Sequence, residues 1–111
     1  MYPDLQVFKA EFFRALAHPV RIRILEVLIA GEHSVQELQQ TLGLDQPLVS
    51  QQLAVLRAKN IVLSRKLGTT VRYALRDPLV AELLTTARQI FNRQLVDTQS
   101  MLKELRREAR R

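Results

Sequence analysis

From residue 5 onward the apolar positions recur at intervals of three and four. Leu5, Phe8, Phe12 and Leu16 form one stripe, the period of an amphipathic helix that Pro3 opens and that ends near His18. Pro19 then sits where a helix tolerates a missing N–H and predicts a second helix, with Val20, Ile22, Leu25, Leu28 and Ile29 as its buried set and Gly31 as its stop. Ser34 followed three residues later by Glu37 is a capping box, starting a short third helix that Gly43 ends. Asp45 is the expected N-cap of a fourth helix, Pro47 lies in its first turn, and Asn60 is its expected stop. The texture changes after Asn60. Val71, Tyr73 and Leu75 alternate with Thr70, Arg72 and Ala74 in a stretch rich in β-branched residues around Gly68, which predicts a β-hairpin. Asp77-Pro78 opens a last helix, along which Val80, Leu84, Ala87, Phe91, Leu95, Leu102 and Leu105 run at near-heptad spacing.

The fourth helix is the unusual one. Val49, Leu53 and Leu56 occupy one face, while the other carries Pro47, Ser50, Gln51 and Ala54, with Gln46 and Gln52 nearby. That outer face is polar but almost uncharged, whereas a helix needing only solubility carries Glu and Lys. Two helices joined by a short glycine-containing turn make a helix-turn-helix, spanning 34–59, and a polar second helix suits base reading. Gln pairs bidentately with an adenine edge in the major groove, and Ser donates or accepts. Gln46, Ser50 and Gln51 lie in the leading half of that helix and, with Pro47 and Gln52, are the expected readers of double-stranded DNA.

Charge adds weight to this. The chain has 111 residues and a formal net charge of +6, and residues 58–76 carry Lys59, Arg65, Lys66, Arg72 and Arg76 with no acid. Excess positive charge in one short segment points to a polyanion, although a solvated basic surface explains charge alone equally well. Directly behind a recognition helix, a basic hairpin at 61–76 reads as a wing. Arg65, Lys66, Thr69 and Arg72 would then meet the phosphates or a minor groove. Length favours one domain over 1–111. The absence of cysteine excludes disulfides, thiolate metal sites and thiol nucleophiles. No glycine-rich phosphate loop or paired histidine motif suggests an enzyme. No apolar run suggests a signal peptide or membrane span, so a cytoplasmic protein without a membrane partner is expected.

The stretches "FFRALAHPVRIRILEVL" and "SVQELQQTLGLDQPLVSQQLAVLRAKNIVLSRKLGTTVRYAL" resemble the ArsR/SmtB family of bacterial winged-helix repressors over roughly residues 8 to 95. The resemblance implies a mainly α fold, five or so helices with a two-stranded wing. It also implies a homodimeric regulator, a repressor, on an inverted-repeat operator, often released by an effector. In the family the first and last helices form the dimer interface, the latter here at 78–108. Periodicity favours a dimer independently: Leu5, Phe8 and Phe12 on the first helix, with Leu84, Ala87, Phe91 and Leu95 on the last, are more apolar surface than one small domain readily covers, the alternative being that the two stripes pack on each other within a monomer.

The family's usual metal ligands are missing. Ser34, Val35 and Gln36 stand where cysteines would, and Leu79, Ile90 and Arg93 replace ligands of the last helix, leaving only Asp77. His18, before Pro19, reads as a cap. Glu32, His33 and Glu37 could give a weak site for a divalent ion such as nickel, outside the family's usual positions, or simply a solvated acidic loop. A second class of function also stays open. A winged helix with a long amphipathic last helix can serve as a protein-interaction module.

Overall fold

The structure, a computed structural model, describes residues 4–110. The expected opening of the first helix by Pro3 lies outside them. Five helices and three strands follow in the order α1 (Leu5–Leu16), α2 (Pro19–Leu28), β1 (His33–Ser34), α3 (Val35–Leu42), α4 (Gln46–Ala58), β2 (Val62–Leu67), β3 (Thr70–Leu75) and α5 (Pro78–Ala109). Residues up to Ala81 form one compact unit, and residues from Glu82 on, the remainder of α5, form a second, where length alone suggests one domain.

Local chemistry sets the helix ends. Asp4 accepts from the Gln6 N–H at 3.0 Å, and the His18 ring Nδ1 accepts from the Val20 N–H at 3.1 Å, making His18 the N-cap of α2. The capping box is complete: Ser34 Oγ accepts from the Glu37 N–H, and the Glu37 carboxylate accepts from the Ser34 N–H at 2.8 Å. Asp45 occupies the N-cap of α4 but makes no side-chain cap bond, so its expected role reduces to position. Asn60 is the one described residue other than glycine with positive φ, at 59°. It lets the Asn60 and Ile61 N–H groups turn back to the carbonyls of Arg57 and Leu56, closing α4 in a Schellman arrangement.

The core of the first unit consists of aliphatic side chains from four elements. Ile24 and Leu25 of α2, Leu38 of α3, Val49, Leu53 and Leu56 of α4, then Ile61 and Val62 are fully buried, each stabilising by about 1.5–3 kcal/mol. The inward stripe of α4 is therefore as its spacing predicts. The second helix differs from expectation: Ile24, Leu25 and Leu28 point inward, while Ile22 and Ile29 are exposed and Val20 is half-buried. Several neighbouring aliphatics made the inward face ambiguous. On α1 the only buried residue is Ala15, and Leu5 and Phe8 face outward.

The sheet is three-stranded and antiparallel, in the order β1-β3-β2. A two-stranded wing was the expectation. The third strand is the two-residue β1, whose His33 and Ser34 pair with Tyr73 and Arg72, too short for any periodicity to reveal. Gly68, with φ 64°, turns the two-residue loop between β2 and β3.

Two arginines of α2 satisfy the ends of other helices. Arg21 donates from Nε at 2.6 Å to the Ala15 carbonyl, an open acceptor in the last turn of α1, and from Nη2 at 3.4 Å to the Arg14 carbonyl, which also accepts from the Ala17 N–H. Its Nη1 donates to Gln52 Oε1 on α4 at 2.8 Å. Arg23 donates to the Leu42 carbonyl at the end of α3 at 2.8 Å. Acids tie the sheet to α3 in a similar way. Arg72 donates to the Glu37 carboxylate at 3.0 Å and the Glu32 carbonyl at 2.9 Å, and Arg65 grips the Glu32 carboxylate with two bonds, at 2.6 and 3.0 Å.

Arg21→Met keeps the aliphatic stem but strips three acceptors of a charged donor. It is expected to lower stability by about 2 kcal/mol, or Tm by roughly 10 °C, in thermal unfolding at fixed protein concentration. A change below about 0.5 kcal/mol would mean that water replaces the guanidinium without loss. The acid ties have a pH signature. The bond from Arg65 holds Glu32 below the usual carboxylate range, and the Ser34 N–H, then Arg72, does so for Glu37. A lowered folded-state pKa means the attachment is fully present above the unfolded value and fades as pH falls through the folded one. Hydrogen exchange at the Arg72 and Tyr73 amides is expected to be equally protected from about pH 8 to about pH 5 and to lose protection only below about pH 4. Loss near neutral pH would assign the tie to another group.

Candidate nucleic-acid interface

The turn between α3 and α4 decides what α4 exposes. Gly43, at φ 66°, and Leu44 both direct their N–H groups back to the Gln39 carbonyl, so the chain reverses within three residues and α4 begins at Gln46. With Val49, Leu53 and Leu56 held in the core, the helical period leaves Gln46, Pro47, Gln51 and Ala54 outside, with Ser50 half-buried at their edge. Gln46 Nε2 donates to Ser50 Oγ at 2.8 Å, one turn along. Four of the five expected readers thus share one solvent-facing surface.

Gln52 does not. It is 8% exposed, and its amide oxygen is held by Arg21. The sequence places it beside Gln51, but one step along a helix turns a side chain by about 100°. Gln52 belongs to the interior, and its inclusion among the base readers is corrected.

Strand alternation divides the wing in the same way. Arg65 and Arg72 are register partners on one face of the hairpin, the face turned to Glu32 and Glu37. The opposite face carries the pairs Ser64 with Tyr73 and Lys66 with Val71. Arg72 is partly buried and engaged at both ends of its guanidinium, so an expected phosphate contact is in fact a strut between sheet and helix. Arg65 is exposed but already paired bidentately. Lys66 and Thr69 are exposed near the tip, and Lys66 meets no acid among the described residues.

On the Tyr73 side an open groove of about 400 Å³ separates α4 from β3, lined by Ser50, Ala54, Arg57, Ala58 and Tyr73. Arg57 was not among the expected contacts. It falls on the stripe that continues Gln46, Ser50 and Ala54 at steps of three to four, so counting onward along the helix was the signal available.

The acidic loop does not assemble a metal site. Glu32 and Glu37 are spent on arginines, the His33 ring Nδ1 lies 2.8 Å from the Gly31 carbonyl, and Asp77 accepts from the Leu79 N–H at 2.9 Å as the cap of α5. Among the described residues no three His, Asp or Glu side chains converge to hold an ion. The reading of Glu32, His33 and Glu37 as a weak nickel site, with Asp77 as a further candidate, gives way to its alternative, an acidic loop, whose carboxylates here pair with arginines. Carboxylates near arginines are used as their counter-ions.

The proposed interface residues are distributed over both units. On α1, Leu5 and Phe8 are exposed and Phe12 is half-buried against the Phe13 ring edge at 5.7 Å. On α5, Phe91 and Leu95 are exposed, Leu84 and Ala87 half-buried, and Val80 is the one buried residue. No helix among the described residues is long and apolar enough to cross a membrane.

Comparison with known proteins agrees with this geometry. The bacterial regulatory protein, arsR family, matches residues 18–64. The HTH-type transcriptional regulator Rv0081 of Mycobacterium tuberculosis is 46% identical over 103 residues, 92% of this chain and 90% of that protein. Its crystal structure superposes with a TM-score of 0.80 over 87% of this chain and 98% of that one, at 45% identity. A biofilm growth-associated repressor of Xylella fastidiosa is 40% identical over 74% of this chain and 72% of its own. A homodimeric winged helix-turn-helix DNA-binding domain from Mycobacterium bovis, solved by NMR, has a TM-score of 0.76 at 26% identity, covering 85% of this chain and 91% of that one. The three-stranded sheet behind α3 and α4 is thus the wing of a winged helix-turn-helix, and the chain belongs to the arsR family of bacterial regulatory proteins.

Proposed function

We propose that this protein is a homodimeric transcriptional repressor that binds an inverted-repeat operator in double-stranded DNA, working in the cytoplasm and not as an enzyme. The observation that carries the reading is the exposed, uncharged polar face of α4, where Gln46, Pro47, Ser50 and Gln51 stand together behind a glycine turn. Its side chains suit base edges, since amides and hydroxyls discriminate bases by donor and acceptor pattern, while a dense charge would favour phosphates. The family supports regulation, and the repressor among its relatives supports the sign.

Dimerisation rests on surface chemistry. Leu5 and Phe8 on α1 and Phe91 and Leu95 on α5 are each more than half exposed, an apolar burden that monomers rarely carry. The homodimeric Mycobacterium bovis domain supports the same assembly. Each protomer then offers one α4 to one half of a two-fold operator. The wing contributes Lys66 and Thr69 at its tip. Among the described residues Glu32, His33, Glu37 and Asp77 do not converge on an ion.

Gln51→Ala tests the reading by fluorescence anisotropy on duplex from upstream of the protein's own gene, with a scrambled duplex as control. Loss of one bidentate contact is expected to weaken specific binding by about 1–3 kcal/mol, roughly ten- to hundred-fold, and to leave the scrambled duplex unchanged. Equal loss on both would remove Gln51 from base reading. For the assembly, Phe91→Glu is expected to shift the mass from dimer to monomer in light scattering at micromolar concentration. A dimer of unchanged affinity would take Phe91 out of the interface.

A further inference from the structure

The wing's two best-placed arginines are turned away from the recognition helix, and its inner face is not empty. We propose that the groove between α4 and β3 is a binding site for the sugar-phosphate backbone of DNA. Arg57 and Tyr73 grip a phosphate there, so the electrostatic hold on DNA falls to Arg57 and Lys66 and not to Arg65 and Arg72. This deepens the regulator reading and rests on it.

Four observations converge on the groove. It holds about 400 Å³ and is open to solvent, so it does not enclose a small molecule. Ala54 and Ala58 are among its lining residues, and their short side chains allow close approach. Arg57 and Tyr73 also line it, and no acid lies among its lining residues, so an anion there meets attraction without opposing charge. Finally, Arg57 differs from the other arginines nearby. Arg21 and Arg23 cap helix ends, Arg65 and Arg72 hold Glu32 and Glu37, and the Arg57 guanidinium meets no acceptor among the described residues. A cation left uncommitted in an acid-free groove that a tyrosine also lines is available to an outside anion.

The groove also adjoins the reading face. Ser50 belongs to both, bonded to Gln46 on one side and lining the groove on the other. A backbone seated between Arg57 and Tyr73 would pass the edge of the base-reading residues, which is how phosphate contacts set register without carrying sequence. Lys66 lies on the same hairpin face as Tyr73, two positions nearer the tip in register, where it can meet the next stretch of the same strand.

The test is the salt dependence of binding. Arg57→Gln, Tyr73→Phe and Arg65→Gln are titrated by anisotropy onto a labelled mixed-sequence duplex across a salt series, with the upstream duplex alongside. The expected result for Arg57→Gln is equal weakening on both duplexes and a slope of log affinity against log salt shallower by about one unit per site. Tyr73→Phe is expected to lose affinity about threefold or more with the slope unchanged, since a neutral hydroxyl releases no counterion. Arg65→Gln is expected to keep the parent slope. A parent slope in Arg57→Gln together with a shallower one in Arg65→Gln overturns the groove and returns the load to the outer face. If Arg57→Gln shows the expected slope but the parent prefers neither duplex, the groove stands and the sequence-specific reading fails. Arg57 is exposed and outside the core, and circular dichroism of each variant checks that the fold is intact.

Discussion

A helix ends with carbonyls that have no partner of their own, and in this protein those ends are met from a single neighbouring helix. Arg21 and Arg23, two residues apart on α2, carry their charge to the C-termini of α1 and α3. Cations are favoured there both as donors and by the negative end of the helix dipole. Arg21 does more, because its remaining N–H reaches the one buried amide of α4. A single guanidinium thus joins the end of α1 to the interior face of α4, and its planar fork fixes direction as well as distance. What α4 shows to solvent follows from this. With Gln52 tethered inward beside Val49, Leu53 and Leu56, the polar residues between them have nowhere to turn but out.

The charged residues are divided by use. The segment from Lys59 to Arg76 is uniformly basic in sequence, yet in three dimensions its charges do different work. Lys59 is near Glu11 of α1 at 3.6 Å, Arg65 and Arg72 serve Glu32 and Glu37, and Lys66 is left uncommitted. An exposed pair such as Arg65 with Glu32 is a weak tie, while Arg72 is a firmer one because it is less accessible and also bonds a backbone carbonyl. Net positive charge is a sound guide to the class of partner and a poor guide to the residues that touch it.

Much of the fold was legible in the chain. The helix boundaries at Pro19, Ser34, Gly43 and Asn60 follow from backbone chemistry that each residue carries alone, so they are found where spacing and capping put them. The inward stripe of α4 was legible because its polar intervals leave one answer. The second helix was not, since Val20, Ile22, Ile24 and Ile29 are alike in chemistry and only packing chooses among them. The pairing of β1 with β3 needs contacts forty residues apart that no local pattern encodes. The candidate site divides along the same line. Gln46, Ser50 and Gln51 are where helical spacing puts them. Gln52 and Arg72 were misjudged, and the acidic loop was left with two readings, because their partners, Arg21, Glu37 and Arg65, are distant in sequence.

The two residues of β1 have an effect out of proportion to their length. By pairing with β3 they make the start of α3 and the wing parts of one hydrogen-bonded sheet, and the Ser34 N-cap stands directly opposite Arg72. The start of α3 and the wing are therefore joined within the fold of the free chain. The entropy of ordering that a flexible wing would surrender on association has already been lost in folding. Association through a paired wing needs no ordering of its strands. Its heat-capacity change should reflect only the area covered at the interface, without the added burial that accompanies coupled folding and binding.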